Sequence, residues 1–157
     1  MSSSGVSVDP DCLEKYNELK SQKKHKFIIF KMSDDYKSIL VEEASKNEDW
    51  EYFREKLLSA RSVQKNGQMA KDPRYAIYDF HYQLTDGEGY RNKIVFLAWS
   101  PDDSGVKPKM VYASSKGSLK KSLDGIAYDF QLNDSEDIEY DSIVKNISRA
   151  KAGSSAP

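Results

Sequence analysis

Cysteine occurs once in the 157 residues, at Cys12. An internal disulfide is therefore impossible, and a reducing compartment, the cytoplasm, is the expectation. Long apolar runs are missing as well. The longest, such as Ile94-Val95-Phe96-Leu97-Ala98, are four or five residues, far short of the roughly 20 that a membrane-spanning helix needs. The opening Met1-Ser2-Ser3-Ser4-Gly5 has neither the basic nor the apolar region of a secretory signal, so export is not expected. Histidine occurs only at His25 and His81, far apart and without a cysteine nearby, and no zinc-ligand spacing results. No glycine-rich phosphate loop and no nucleophile elbow is present. Nothing in the chain therefore points to an enzyme, a metal or a cofactor. An excess of either charge is also lacking: 24 Lys and Arg stand against 25 Asp and Glu, for a net charge of -1. That balance excludes a globally basic nucleic-acid coat but leaves room for a local basic patch.

What is present fits one folded domain. Hydrophobic residues make up 38% and charged residues 31%, and the 2 Trp, 10 Tyr and 6 Phe argue for a packed core rather than disorder. A chain of this length removes roughly 68–70% of its unfolded surface from water. Residues 1–8, small and mostly uncharged, read as a flexible N-terminal segment. Asp9-Pro10 then opens a helix that carries Leu13, Tyr16 and Leu19 to about Ser21. Phe27–Phe30 and Ser38–Ala44 read as strands on either side of an Asp34-Asp35 turn, and Trp50, Phe53, Leu57 and Leu58 mark a short amphipathic helix. Residues 59–72 read as a loop, long for a compact domain, with extension of the preceding helix into part of it as the alternative. Tyr75–Leu84 alternates cleanly, with Ala76, Tyr78, Phe80 and Tyr82 on one face. A turn at Asp86-Gly87-Glu88-Gly89 leads to a central strand at Lys93–Trp99. A third helix from Pro108 to about Leu123, a strand at Tyr128–Leu132 and a last helix from Tyr140 to Ala150 follow. The last helix has Tyr140, Ile143, Val144 and Ile147 on its buried stripe, and residues 151–157 form a tail. The sum is a mixed α/β (α+β) layer fold of about five strands and four helices.

Single residues with chemical potential mostly read as structural. His25 lies in a basic stretch and reads as solvated, while His81 reads as a structural strand residue. Asp79, between aromatics, needs a partner and reads as a buried, hydrogen-bonded acid. Asn133-Asp134-Ser135 and Asn146-Ile147-Ser148 match the glycosylation sequon by chance if the chain is not exported.

The charge pattern carries more information. From Val106 to Ser122 there are five lysines (Lys107, Lys109, Lys116, Lys120, Lys121) and no acid; from Leu123 to Asp141 there are seven acids and no base. Lys109, Lys116 and Lys120 stack along one side of the third helix, where like charges gain nothing for the helix alone. Ser114, Ser115, Gly117 and Ser118 in its middle are poor helix formers with small side chains. A solvated helix normally mixes both signs. This one reads as built to lie against an acidic partner, with lysines at its rim and Met110 and Leu119 as apolar anchors. An acidic protein surface or an anionic membrane fits equally well; nucleic acid fits least, because the patch has no Arg and only Tyr112 among aromatics.

The segment Lys109-Met110-Val111-Tyr112-Ala113-Ser114-Ser115-Lys116 resembles the signature of the actin-depolymerising factor/cofilin family. Ser4-Gly5-Val6, Tyr75-Ala76-Ile77-Tyr78-Asp79-Phe80, Lys93-Ile94-Val95-Phe96, Trp99-Ser100-Pro101-Asp102 and Tyr140-Asp141-Ser142 agree with it, in order, over essentially the whole chain. The wording is nearest to the fungal members. The resemblance implies one actin-depolymerising-factor homology domain at residues 9–150, with a central mixed five-stranded sheet flanked by about four helices. It implies a monomeric protein that binds actin monomers and filaments with preference for ADP-bound subunits, severs filaments and speeds subunit loss. It places the protein in the cytoplasm at the actin cytoskeleton, with the nucleus as a second location. The family's actin-contacting positions map onto Ser4, Gly5, Lys107, Lys109, Met110, Lys116, Leu119, Lys120 and Lys121. Its filament-only positions map onto Arg91, Lys93 and Arg149. Inhibition by phosphorylation at Ser4 and by phosphoinositide lipids is implied too. Three features depart from the pattern: Gly117 replaces a frequent Asp, Lys145 and Asn146 replace Glu and Arg, and residues 59–72 are longer than in close relatives. A membrane-surface adaptor that binds phosphoinositides, with little or no severing, is the rival reading.

Overall fold

The computed structural model describes residues 5–63, 67–83 and 90–155. Ser4 and the Asp86–Gly89 turn lie outside them. In chain order the elements are β1 (Ser7–Val8), α1 (Pro10–Gln22), β2 (Phe27–Met32), β3 (Ser38–Ser45), α2 (Trp50–Leu58), β4 (Arg61–Val63), β5 (Met69–Lys71), β6 (Arg74–Gln83), β7 (Tyr90–Trp99), α3 (Val106–Ser122), β8 (Tyr128–Leu132) and α4 (Tyr140–Ser155). The main sheet runs β1-β3-β2-β6-β7-β8, and β4-β5 forms a separate pair. The outer pairings, β1 with β3 and β7 with β8, are parallel and the inner ones antiparallel. The sheet is thus mixed, as expected, but among the described residues it has six strands rather than five.

Alternation along the strands explains the layers. Successive side chains point to opposite faces, so Phe27 and Ile29 face one way while Ile28 and Phe30 face the other. Cys12, Tyr16 and Leu19 of α1, with Tyr112 and Leu119 of α3, cover the face formed by Ile28, Phe30, Tyr75, Ile77 and Phe96. Trp50, Phe53 and Leu57 of α2, with Ile143 and Ile147 of α4, cover the face formed by Phe27, Ile29, Tyr78, Phe80, Val95 and Leu97. On β6 the expected split holds: Ala76, Tyr78 and Phe80 share one face and Tyr75 and Ile77 the other.

Local signals set several boundaries. Asp9 caps α1 by accepting from the Asp11 amide at 2.9 Å, with Pro10 in the first turn. Lys23 ends it in the left-handed region at φ 55°.

Other expectations need correction. Ser7 and Val8 are not loose: they pair in register with Ser38 and Ile39, and Val6 beside them is buried. Residues 59–72 are not a plain loop but hold the β4–β5 hairpin. Helix α4 continues to Ser155, into the expected tail. Tyr140 and Val144 are partly exposed rather than buried, although Tyr140 stacks on Phe80. His25 is not solvated: its Nε2 lies 2.8 Å from Glu18 Oε1, which holds the Glu18 carboxyl below its ordinary range. Asp79 is 4% exposed and meets Lys23 Nζ and Asn92 Nδ2, each at 3.4 Å, as its setting requires.

Candidate partner-binding surface

Helix α3 divides cleanly around its axis. Pro108, Tyr112, Ser115 and Leu119 recur every three or four residues and are buried. That is the period of an amphipathic stripe. On the opposite side Val106, Met110, Ala113, Ser114, Gly117 and Lys121 are exposed. Val106 and Met110 keep 75% and 66% of their surface open to solvent. Val106, Met110, Ala113, Gly117 and Lys121 follow one another by four, three, four and four positions, so they form a single line along the helix. The outer ridge is therefore apolar and small, with a lysine at its C-terminal end. A Cβ added at Gly117 would meet nothing within 4 Å, so the backbone there lies open to close approach.

The lysines stand differently from what the sequence predicts. Lys109, Lys116 and Lys120 do share one side, but that side faces the protein's own groups. Lys116 Nζ lies 3.0 Å from Asp129 Oδ1, and Lys120 Nζ bonds the other oxygen of the same carboxylate. Burial alone would push the Asp129 carboxyl up; the two ammonium groups outweigh it and hold the acid below its ordinary range. Lys109 donates to the Asp102 carbonyl, and Lys107 Nζ sits 5.2 Å from the centre of the Tyr36 ring. Lys107 and Lys121 are the two that remain exposed. Leu119 also differs from expectation: it is fully buried beneath the helix and cannot be a surface anchor.

The remaining predicted site residues lie on other elements. Gly5, Val6, Ser7 and Val8 line a groove of about 510 Å³ together with Ser118, Lys121 and Ser122 of α3. The N-terminal strand and the C-terminal half of α3 are thus neighbours. Of the second group, Arg91 and Lys93 are near neighbours on β7, opposite Tyr82 and Phe80 of β6. Lys93 is half-buried, and Arg149 stands exposed on a separate element, α4.

A buried polar network that the sequence analysis does not anticipate fixes the position of α3. The Tyr112 hydroxyl accepts from the Met32 amide at 2.9 Å and donates to Asp72 Oδ2 at 3.2 Å. Asp72 also takes a bond from Arg74, whose Nε donates to Glu42 Oε1 at 2.8 Å. The Tyr75 hydroxyl donates to the Tyr112 carbonyl. Burial pushes the Tyr112 phenol up, so it stays protonated and keeps donating. The one advance signal was an Asp-Pro-Arg triplet ahead of a strongly apolar strand, where a charged pair must find partners.

Among the described residues, no group of three His, Cys, Asp or Glu could hold a metal ion, and no helix is long and apolar enough to cross a membrane.

Residues 5–148 match the family model described as cofilin/tropomyosin-type actin-binding protein. Among curated relatives, cofilin of Gibberella zeae is 56% identical over 97% of this chain and 99% of its own length. Cofilin of Saccharomyces cerevisiae is 44% identical, covering 98% of this chain and 99% of its own. Among solved structures, Streptomyces griseoflavus cofilin superposes with a TM-score of 0.79 at 34% identity, over 92% of this chain and 98% of that one.

Proposed function

The chain belongs to the cofilin/tropomyosin-type actin-binding protein family, and from that premise we propose that it binds actin monomers and filaments through the exposed ridge of α3, preferring ADP-bound subunits, and severs filaments. The observation that carries this reading is the ridge itself: Val106, Met110, Ala113, Gly117 and Lys121 in one exposed line, smooth enough to enter a cleft. A helix laid into an apolar groove presents anchors at this spacing. Gly5, on the groove beside Lys121, extends the contact. Lys107 and Lys121 at the two ends supply charge toward an acidic subunit. Lys109, Lys116 and Lys120 orient and flank the ridge rather than lead the contact, and Leu119 supports it from below.

Severing needs a second contact. A ligand shifts a conformational equilibrium only by its differential affinity for the two states. A protein that grips one subunit with α3 and the next with Arg91, Lys93 and Arg149 prefers one filament geometry. Stretches with and without it then mismatch, and breaks concentrate at the boundary.

Regulation follows from charge. Ser4 immediately precedes Gly5, and a phosphate there adds about -1.5 to -2 charges beside a surface meant for an acidic partner. A Ser4→Glu variant that bound actin as well as the unmodified chain would remove this switch. Phosphoinositides compete for the same surface. The protein works in the cytoplasm, at the actin cytoskeleton, and as a monomer.

Co-sedimentation with actin filaments, and separately with anionic vesicles, tests the reading. Pelleting with filaments at low micromolar protein is the expected result. Pelleting with vesicles alone would favour the membrane-adaptor alternative, which the internal pairing of Lys116 and Lys120 with Asp129 already weakens.

A further inference from the structure

The β4–β5 hairpin lies in the 59–72 stretch, to which the resemblance assigns no site residue. Its register pairs Arg61 with Lys71, Ser62 with Ala70 and Val63 with Met69. Val63 and Met69, partners across the ladder, are 66% and 62% exposed. An isolated two-stranded hairpin is marginal in water, yet this one is tied down at its root. Ser62 Oγ donates to Asp72 at 2.8 Å, the Asp72 amide donates to the Ala60 carbonyl at 3.1 Å, and Arg61 Nη1 donates to the Leu58 and Ala60 carbonyls at 2.7 and 2.9 Å. A rooted hairpin that carries two open apolar side chains is a surface held ready for contact.

The hairpin adjoins the start of α3. Lys71 forms an ion pair with Asp103 at 3.1 Å, three positions before Val106. Ser62 and Val63 share a recess of about 270 Å³ with Tyr36, and the ring of Tyr36 carries Lys107. Asp72 closes that recess and also receives the Tyr112 hydroxyl. Among the described residues seven large hydrophobic side chains are exposed, and four of them belong to these two joined elements: Val63, Met69, Val106 and Met110. The Lys71–Asp103 pair and the Tyr36 recess set the hairpin's open apolar pair beside the N-terminal end of the α3 ridge.

We propose that the β4–β5 hairpin is an additional actin-binding element, seating Val63 and Met69 on the same subunit that the α3 ridge engages. This rests on the actin-binding role proposed for α3, because continuity with that ridge identifies the occupant. Apolar side chains buried at such an edge add affinity and slow dissociation without changing which subunit is recognised.

The test is a titration of labelled ADP-actin monomers with the full chain, with Val63→Ser/Met69→Ser and with Met110→Ser. All three substitutions are at exposed positions, so thermal melting should be unchanged. The expected result is a Kd about five- to tenfold weaker for the hairpin double variant, through a faster off-rate. An unchanged Kd for that variant, with clear loss for Met110→Ser, would overturn the hairpin proposal and leave the α3 reading intact. An unchanged Kd for Met110→Ser, or no binding by the parent chain, would overturn the α3 reading and the hairpin proposal with it. A second readout is independent of energetics. An environment-sensitive dye on Val63→Cys, with Cys12 fully buried and out of reach, should shift to the blue when actin binds. No shift, or a shift produced by self-association of the chain without actin, would also overturn the proposal.

Discussion

Lys116 holds its ammonium nitrogen 3.0 Å from Asp129 Oδ1. The parallel pairing of β8 on β7 sets this up, because it seats Asp129 opposite Phe96, and the Lys116 ammonium lies 6.0 Å from the Phe96 ring. One acid from the acidic segment thus compensates two lysines of the basic helix, since Lys120 reaches it too. What α3 leaves exposed is the apolar ridge with Ser114, and Lys107 and Lys121 near its ends.

Asp129→Asn should uncover that charge. Lys116 and Lys120 lose their counter-ion, and association with actin should become faster and more salt-dependent. Stopped-flow rates at low and high salt read this directly; a salt slope equal to the parent's contradicts it. Stability should fall by only about 1 kcal/mol or less, because both lysines are partly open to solvent. The pH sense is fixed by the folded-state value of Asp129 lying below its unfolded value. The stabilisation is therefore complete above the unfolded value and is lost as pH falls through the folded one, below about pH 4. Acid melts of the parent and Asp129→Asn should converge there.

The two adjacent lysines should separate. Lys121→Asp, at an exposed site, should leave melting unchanged and weaken both monomer and filament binding. Lys120→Asp places a second carboxylate against Asp129 and should lower the melting temperature as well. Equal melting losses for the two would contradict the assignment of Lys120 to an internal pair.

Arg91→Ala with Lys93→Ala, and separately Arg149→Ala, should weaken filament binding several-fold and leave monomer affinity alone. Parallel co-sedimentation and monomer titrations check this. Equal loss on monomers would show the two-surface assignment to be wrong.

Leu119→Ala opens a hole under α3 and should cost about 2–5 kcal/mol in chemical denaturation. Any affinity change should scale with the helix's loosening; full stability with lost binding would mean that Leu119 touches the partner.

Much of this was legible in advance, for identifiable reasons. The alternation of Tyr75–Phe80, the cap at Asp9-Pro10 and the buried spacing of Trp50, Phe53 and Leu57 are local signals, and each element formed where it was read. β1 was missed because two residues make a strand only when Ser38 and Ile39 are there to pair with. The β4–β5 hairpin was missed because three-residue strands with exposed apolar partners show no buried face. Charge pattern and resemblance both pointed to the Val106–Ser122 helix, but the direction of its lysines depends on Asp129, which only the tertiary fold delivers. Leu119 was different: its spacing from Tyr112 and Ser115 already put it on the buried stripe, opposite Met110. Helical angle, not position near the helix end, was the signal to follow.

The central claim is that the exposed ridge of α3 is the actin contact, and Met110, 66% exposed, is the largest apolar side chain on that line. The direct measurement is a fluorescence titration of ADP-actin monomers with the parent chain and with Met110→Glu, alongside thermal melts of both. The account predicts unchanged melting and an affinity loss of at least about tenfold, as for a truncated hot-spot anchor. Unchanged affinity with an intact fold would show that actin, if bound, is held elsewhere.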